Sequence, residues 1–471
     1  MHRNAEPPTA DKGEVIASMT PSSESTLVED AAAVLHANDL GAWTKASPGL
    51  YPHQWSWDSA FIAIGLARLD SRRAARELRT LFSAQWANGM VPHIVFDPSA
   101  SDGYFPGHDR WACAVRNEAA PVQPRTSGLC QPPAHAIAAR AVWRAAQREG
   151  GTAVAQARAF VCELYPRLLA WHEYLATARD PEGTGLVTIY HPWESGCDNS
   201  PRWDAALGAV EVGSLPPYRR RDLAHVVDPG QRPTGAEYDR YLWLVESLKQ
   251  AGYDDAAVHR GHPFQVRDVL FSALLVAANE ALLDLAILVD APAADRRRVR
   301  TWLERGHAGL AACWDERMGL CLDYDVRAGR PVPVRTIAGF APLIAGSLAP
   351  DRLDAQLAVL DSSWFCAAPG MAPPSTSPHE PAFLAHSYWR GPSWPVMNWL
   401  LWWSLERGGQ HERAEVLRRT GLGQIARSGF AEYFNPFTGE PLGSRNQSWT
   451  AAVVLDWLAP ELARQDSSQA A

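Results

Sequence analysis

Hydrophobic positions recur along most of the chain with the 3.6-residue period of amphipathic α-helices. Thirteen segments of helical length follow this pattern, whereas only residues 185–190 are typical of a strand. Proline or serine often precedes these segments and glycine or asparagine often follows them, as expected at helix termini. The predicted helices span residues 27–38, 57–69, 71–85, 133–148, 153–176, 235–251, 267–289, 294–315, 339–348, 350–360, 395–407, 411–427 and 447–463.

The absence of a regular sequence repeat limits how these helices can be arranged. No repeat with a fixed period of about 20 to 50 residues is visible, which disfavours a regular helical solenoid. Paired helices joined by long irregular loops remain, and the loops are rich in aromatic and charged residues, as is typical of a binding site. We therefore predict an all-α fold, an (α/α)6 barrel or toroid of about twelve to thirteen helices, with long loops forming the mouth of the site.

The termini and the body of the chain differ in composition. Residues 1–26 are polar and lack the apolar stretch of a signal peptide, so we predict a disordered N-terminal tail. Residues 27–463 are expected to form one (α/α)6 domain, and residues 464–471 a C-terminal tail.

Segment 213–235 departs from the helical pattern and contains four prolines. One interpretation is a surface loop whose Arg219-Arg220-Arg221 run is solvated. The other is a lid that closes over a bound anion, with Arg232 in its last third. We predict the lid.

Net charge, the apolar stretch and the cysteines indicate what the protein binds and where it is located. The 471 residues carry a net charge of −8, which argues against nucleic acid or an anionic membrane as the main partner and favours a small molecule. The most apolar stretch, 269–290, is interrupted by Glu280 and Asp284 and is expected to be a core helix rather than a membrane span. Seven cysteines without a CxxC pair predict reduced thiols. We expect a cytoplasmic protein with no metal and no cofactor; a homo-oligomer, dimeric or tetrameric, stays open.

The aromatic content points to a sugar ligand. The chain has no GxSxG, GxGxxG, Walker or HExxH motif, but it has 20 tryptophans, more than its 12 tyrosines or 13 phenylalanines. Tryptophan faces stack on the C–H faces of sugars, and the indole N–H donates a hydrogen bond. Outside the aromatic loops, most tryptophans are expected to belong to the core.

Two carboxylate-rich loops are candidates for catalysis. The segment from Trp193 to Asp204 holds Glu194, Asp198 and Asp204 among aromatic residues. A carboxyl group in a dry aromatic pocket keeps its proton and can protonate a glycosidic oxygen. Taken alone, a structural ion-pair cluster is an equally good interpretation.

The second loop, residues 429–440, carries Glu432 and Glu440. Glu440 follows a turn-like Pro-Phe-Thr-Gly sequence and is expected to be solvated, which makes it the weaker candidate. Hydrolysis of an acetal with inversion needs one acid and one base on opposite faces of the ring, about 6.5–9.5 Å apart. Two distant loops of a toroid could supply that pair.

These loops, taken in order, resemble a known group of enzymes. The matching segments are 51–59, 92–93, 104–107, 126–133, 193–200, 232–234, 237–241, 388–394, 432–434 and 446–449. They are similar to the inverting α/α-toroid glycosidases that include trehalases and processing α-glucosidases, and within these to the family 63-like glucosylglycerate and mannosylglycerate hydrolases of bacteria. The similarity spans about residues 40–462.

The resemblance implies that Asp198 is the general acid and Glu432 the general base. It implies that Arg232 and Tyr238 hold the carboxylate of glycerate, and a guanidinium fork with a phenol donor suits that group. Tyr104 and Trp394 are expected either to contact the substrate or to pack in the wall. The other implied sugar contacts are Tyr51, Trp55, Asp58, His93, Gln131, Trp193, Gly196, Tyr388, Trp389 and Gln447.

The resemblance thus implies hydrolysis of the α-glycosidic bond of 2-O-α-D-glucosyl-D-glycerate with inversion, and the mannosyl analogue is a second candidate substrate. One alternative is an α-glucosidase or trehalase-like hydrolase of a neutral glucoside, against which Arg232 and Tyr238 argue. Another is a toroid that binds sugars without hydrolysing them. The presence of both Asp198 and Glu432 argues against the last alternative.

Overall fold

α-Helices make up about half of the residues that the computed structural model describes, which are 21–100, 104–225, 228–346 and 348–459. They are α1 (Pro21–Asn38), α2 (Ser56–Leu66), α3 (Ser71–Ser83), α4 (His108–Trp111), α5 (Cys113–Arg116), α6 (His135–Glu149), α7 (Thr152–Thr177), α8 (Asp204–Gly208), α9 (Gly235–Gln250), α10 (Asp255–Gly261), α11 (Val269–Leu288), α12 (Ala293–Ala312), α13 (Ala341–Ala345), α14 (Pro350–Leu360), α15 (Pro395–Arg407), α16 (His411–Ser428) and α17 (Ser448–Trp457).

Six of these helices close into an inner ring. Helix α2 packs on α6, α6 on α11, α11 on α13, α13 on α15, α15 on α17, and α17 returns to α2. The outer helices alternate with them along the chain: α3 packs on α2, α7 on α6, α12 on α11, α16 on α15 and α1 on α17. Helix α14 follows α13 and is held by Gln356, whose Nε2 donates to the carbonyl of Gly339 at 3.0 Å. The predicted (α/α)6 barrel is therefore confirmed.

Burial explains the two layers. Every residue of α2 is buried, and so are 15 of the residues of α11, because an inner helix is covered by neighbours on all sides. Helix α11 is long and apolar enough to cross a membrane, but 78% of its most apolar window is buried within the protein. Outer helix α3 instead buries one face, with Ala74, Leu78 and Leu81, and leaves Arg72 and Arg76 exposed.

Twelve of the thirteen predicted helices correspond to helices of the two layers, and the thirteenth, 235–251, is α9, which does not belong to the ring. Helix α1 begins at Pro21, inside the predicted tail 1–26. Residues 1–20 and 464–471 lie outside the described residues, so the rest of both predicted tails is not described. The helix predicted at 339–348 is shorter, because a 3-10 turn (Ile337–Phe340) precedes α13.

Short strands of two residues pair with one another in the connections between the helices. They are β1 (Gln54–Trp55), β2 (Ile94–Val95), β3 (Thr188–Ile189), β4 (Val266–Arg267), β5 (Trp314–Asp315), β6 (Leu320–Cys321), β7 (Tyr324–Asp325), β8 (Arg330–Pro331), β9 (Tyr433–Phe434) and β10 (Pro441–Leu442). β3, within the predicted strand 185–190, belongs to the antiparallel sheet β3-β4-β7-β8; the other sheets are the pairs β1-β2, β5-β6 and β9-β10.

Inner and outer helices alternate along the chain, so the N-termini of the inner helices point to one end of the barrel. The loops that precede them meet there. Asp58 lies in the first turn of α2, Gln131 shortly precedes α6, Tyr388 precedes α15 and Gln447 is the N-cap of α17. The topology therefore gathers residues from across the chain around one cavity.

Candidate active site

A cavity of about 970 Å³, counting its open mouth, lies where these loops converge. Aromatic rings and several polar or charged groups line it, as is typical of small-molecule sites. Fourteen of the sixteen site residues predicted from the sequence line it: Tyr51, Trp55, Asp58, His93, Tyr104, Gln131, Trp193, Gly196, Asp198, Arg232, Tyr238, Tyr388, Glu432 and Gln447.

The structure does not bring Trp389 and Trp394 to the cavity. Their rings stack with centroids 3.7 Å apart and an angle of 4° between planes, and both are buried. The indole N–H of Trp394 donates to the backbone carbonyl of Tyr388 at 3.2 Å. The pair therefore packs behind the wall that Tyr388 forms, which is the wall-packing alternative for Trp394.

Eight lining residues were not among the predicted site residues. Four of them are aromatic residues within the motifs that resemble the hydrolases, and their position in those motifs is the signal that could have identified them. Arg221 and Asp222 stand in segment 213–235, where the sequence offers no signal that tells a wall residue from a solvated one. The eight are Leu50, Trp57, Phe105, Arg221, Asp222, Pro233, Tyr241 and Trp449.

The three carboxylates of the 193–204 loop have different surroundings. Glu194 is completely buried and pairs with Arg179, with 2.8 Å between Oε1 and Nη2. Asp204 pairs at the surface with Arg390 at 2.7 Å. Asp198 faces the cavity. Of the three, only Asp198 is therefore placed to reach a ligand.

Burial raises the pKa of two carboxyl groups in the cavity to neutral pH or above. Removal from bulk water raises the pKa of Asp198 to about 7; the negative charge of Glu432 adds to this rise, and the positive charge of Arg232 opposes it. Burial also raises the pKa of Asp58 to about 8, with further contributions from Glu432 and Asp198. At pH 7 Asp58 is thus mostly neutral, and Asp198 is poised to give up its proton.

Glu432 is held from three directions. Its Oε1 accepts a hydrogen bond of 2.7 Å from the hydroxyl of Tyr51, and its Oε2 accepts one of 2.8 Å from the backbone N–H of Ser444. Nη2 of Arg232 lies 3.7 Å from Oε2. Glu440, in contrast, has a side chain that is 60% exposed and does not line the cavity.

Arg232 is buried in the wall, and its guanidinium lies over the ring of Tyr388 at 4.6 Å from the centroid. Its Nη1 donates to the hydroxyl of Tyr51 at 3.4 Å. Nε and Nη2 have no hydrogen-bond partner among the described residues. These two nitrogens form one edge of the guanidinium, the edge that binds a carboxylate in a bidentate manner.

Helix α9, the predicted helix outside the ring, supports one side of the cavity. The hydroxyl of Tyr241 donates to the backbone carbonyl of Asp198 at 3.0 Å, which ties this helix to the loop that carries Asp198. Tyr238 lines the cavity with its hydroxyl directed to the carbonyl of Phe105 at 3.2 Å. Tyr238 can therefore meet a ligand, but its hydroxyl proton already has an acceptor.

A closed double ring of helices, with an aromatic cavity that contains carboxyl groups, matches the α/α-toroid glycoside hydrolases that the sequence motifs resemble. The family model described as "Mannosylglycerate hydrolase MGH1-like glycoside hydrolase domain" matches residues 51–450, and the chain belongs to this family.

Curated relatives agree with this assignment. The chain is 49% identical to the glucosylglycerate hydrolase of Mycolicibacterium hassiacum over 92% of this chain and 97% of that protein. It is 42% identical to the mannosylglycerate hydrolase of Thermus thermophilus over 90% of this chain and 98% of that protein.

Solved structures agree as well. A family GH63 mannosylglycerate hydrolase of Thermus thermophilus, in complex with Tris and D-glycerate, superposes with a TM-score of 0.84 and 41% identity, covering 92% of this chain and 99% of that one. The neutral trehalase of Saccharomyces cerevisiae matches with a TM-score of 0.52, over 89% of this chain and 74% of that one, and shares only the fold at 16% identity.

Proposed function

We propose that this protein hydrolyses the α-glycosidic bond of 2-O-α-D-glucosyl-D-glycerate with inversion, releasing glucose and D-glycerate, and that mannosylglycerate is a second substrate. One observation carries the proposal: Asp198, Glu432 and Arg232 line the same cavity, and two buried guanidinium nitrogens of Arg232 have no hydrogen-bond partner among the described residues. The first two are the groups that break a glycosidic bond, and the third recognises an acidic aglycone. The names of the two curated relatives support this choice of substrate.

In the proposed reaction, Asp198 donates its proton to the glycosidic oxygen as the bond to the anomeric carbon breaks. Glu432 removes a proton from the water molecule that attacks this carbon from the opposite face. The hydrogen bonds from Tyr51 and Ser444 hold the carboxylate of Glu432 in one orientation, which favours a single position for that water.

The sugar ring has aromatic and polar neighbours in this cavity. We propose that Trp55 and Trp193 contact its C–H faces and that Gln131 and Gln447 bond its hydroxyls. The carboxyl of Asp58, neutral near pH 7, can donate a hydrogen bond as well as accept one.

A neutral glucoside is the second candidate substrate, and one contact favours it. Because Nη2 of Arg232 lies 3.7 Å from Glu432, this guanidinium already faces a negative charge of the protein itself. In that arrangement Arg232 orients the base rather than binding the substrate, and the cavity needs no acidic aglycone.

The stereochemistry of the first product tests the proposed chemistry. Wild-type enzyme acting on glucosylglycerate is expected to release β-glucose first, because water attacks opposite the leaving group. Proton NMR of the anomeric signals in the first minutes, before mutarotation, measures this. Initial α-glucose would exclude inversion, and turnover of neutral glucosides without turnover of glucosylglycerate would favour the second candidate.

The pH profile tests the role of Asp198. A general acid works only while protonated, so kcat/KM is expected to fall as the pH rises through about 7, the pKa of Asp198 in the free enzyme. The charges of Arg232 and Glu432 shift the pKa of Asp198, and Asp58 interacts electrostatically with it. The variant Asp58→Asn removes the group with a pKa of about 8 and should retain this limb. A limb that disappears in Asp58→Asn, or a wild-type profile that is flat to high pH, would contradict the assignment.

A further inference from the structure

The part of the predicted lid, 213–235, that precedes residue 221 is anchored beside the cavity by two side chains. The ring of Tyr218 stacks between Phe105, at a centroid distance of 5.7 Å, and Tyr238, at 5.8 Å. The guanidinium of Arg220 lies over Tyr238 at 4.4 Å and donates to the carbonyl of Pro233 at 2.8 Å. These contacts, all to residues that line the cavity, hold the chain beside it immediately before residue 221.

The two residues that follow both line the cavity, and their charges are of opposite sign. Asp222 is neutralised by Arg220, with 2.6 Å between Oδ2 and Nη2 and 3.0 Å between Oδ1 and Nε. Arg221 is exposed and makes no hydrogen bond or ion pair with any residue in the described part of the chain. The anchored segment therefore presents an uncompensated positive charge to the mouth.

We propose that Arg221 determines specificity for an acidic aglycone, binding the substrate carboxylate from the mouth while Arg232 meets it from the buried wall; this rests on the proposed function. The substrates so selected are α-glycosides whose aglycone carries a carboxylate close to the glycosidic oxygen. A guanidinium suits this task because its planar donors match a carboxylate and it keeps its charge at every physiological pH. The pairing of Arg220 with Asp222 removes the negative charge that would otherwise repel such a substrate.

Arg221→Ala is expected to raise KM for glucosylglycerate about fivefold with kcat little changed, since a partly exposed ion pair contributes up to about 1 kcal/mol. KM for glucosylglycerol, which has no carboxylate, should stay the same. Arg221→Lys should restore part of the binding. Arg219→Ala is the matched control, because Arg219 is an exposed neighbour that does not line the cavity, and it should behave as wild type on both substrates.

Inhibition by D-glycerate separates this inference from the proposed function. With glucosylglycerol as substrate, the inhibition constant of D-glycerate should rise about fivefold in Arg221→Ala but not in Arg219→Ala. Unchanged glycerate inhibition, or equal KM increases on both substrates, overturns the role of Arg221 even if wild-type enzyme hydrolyses glucosylglycerate. Wild-type enzyme that hydrolyses glucosylglycerol but not glucosylglycerate overturns the proposed function instead, while the glycerate measurement still reports on Arg221.

Discussion

Asp198→Asn is expected to lower kcat by at least about 10²–10⁴-fold, because it removes the proton that the leaving oxygen must receive. Asparagine has nearly the same shape, so the dissociation constant of the substrate should change little. Glu432→Gln should cause a loss of similar size, since an amide cannot take a proton from the attacking water. Its oxygen can still accept one of the two hydrogen bonds that now hold Glu432.

Two matched variants serve as controls for these changes. Asp204→Asn makes the same replacement in the loop of Asp198, at a surface residue paired with Arg390. Glu440→Gln makes the same replacement near Glu432, at a side chain that is 60% exposed. Both controls should keep nearly full kcat. Steady-state turnover and calorimetric binding measure the two effects separately, and near wild-type turnover in Asp198→Asn or Glu432→Gln would remove that residue from the mechanism.

Arg232→Ala should cost roughly 2–5 kcal/mol of transition-state binding for glucosylglycerate, as expected when one partner of a desolvated charge pair is lost. The loss for glucosylglycerol should be smaller, because that substrate has no anion for the guanidinium to hold. It should not be zero, since Arg232 also contacts Tyr51 and lies 3.7 Å from Glu432.

The ratio of kcat/KM for the acid to that for the alcohol isolates the recognition of the anion. Wild-type enzyme should prefer the acid, and Arg232→Ala should nearly abolish this preference. Arg232→Lys, which keeps the charge but loses the planar fork, should retain part of it. Equal losses on both substrates would mean that Arg232 serves Glu432 or the sugar subsite, and the neutral-glucoside candidate would then be favoured.

Local features of the sequence determined the helices and most of the site. The 3.6-residue period is set by neighbouring residues, and it located all the helices of both layers as well as α9. The aromatic loops located most residues of the cavity wall, since these motifs lie in the connections that lead from an outer helix to the next inner helix. The start of α1 at Pro21 was not anticipated, because 21–26 are polar like the tail before them and are joined to the fold through a helix that packs on α17.

Only the tertiary structure decided which residues of each motif line the cavity. Glu194 and Asp198 stand four residues apart, but Glu194 forms a buried ion pair with Arg179, whereas Asp198 faces the cavity. Trp389 looks like a sugar-stacking residue, yet its partner in stacking is Trp394. For segment 213–235 the sequence offers both a solvated arginine run and a lid, and the contacts of Tyr218 and Arg220 hold the residues before 221 beside the cavity. The reason is the same each time: a charge or an aromatic face acts on whatever lies beside it in space, and its neighbours come from distant parts of the chain.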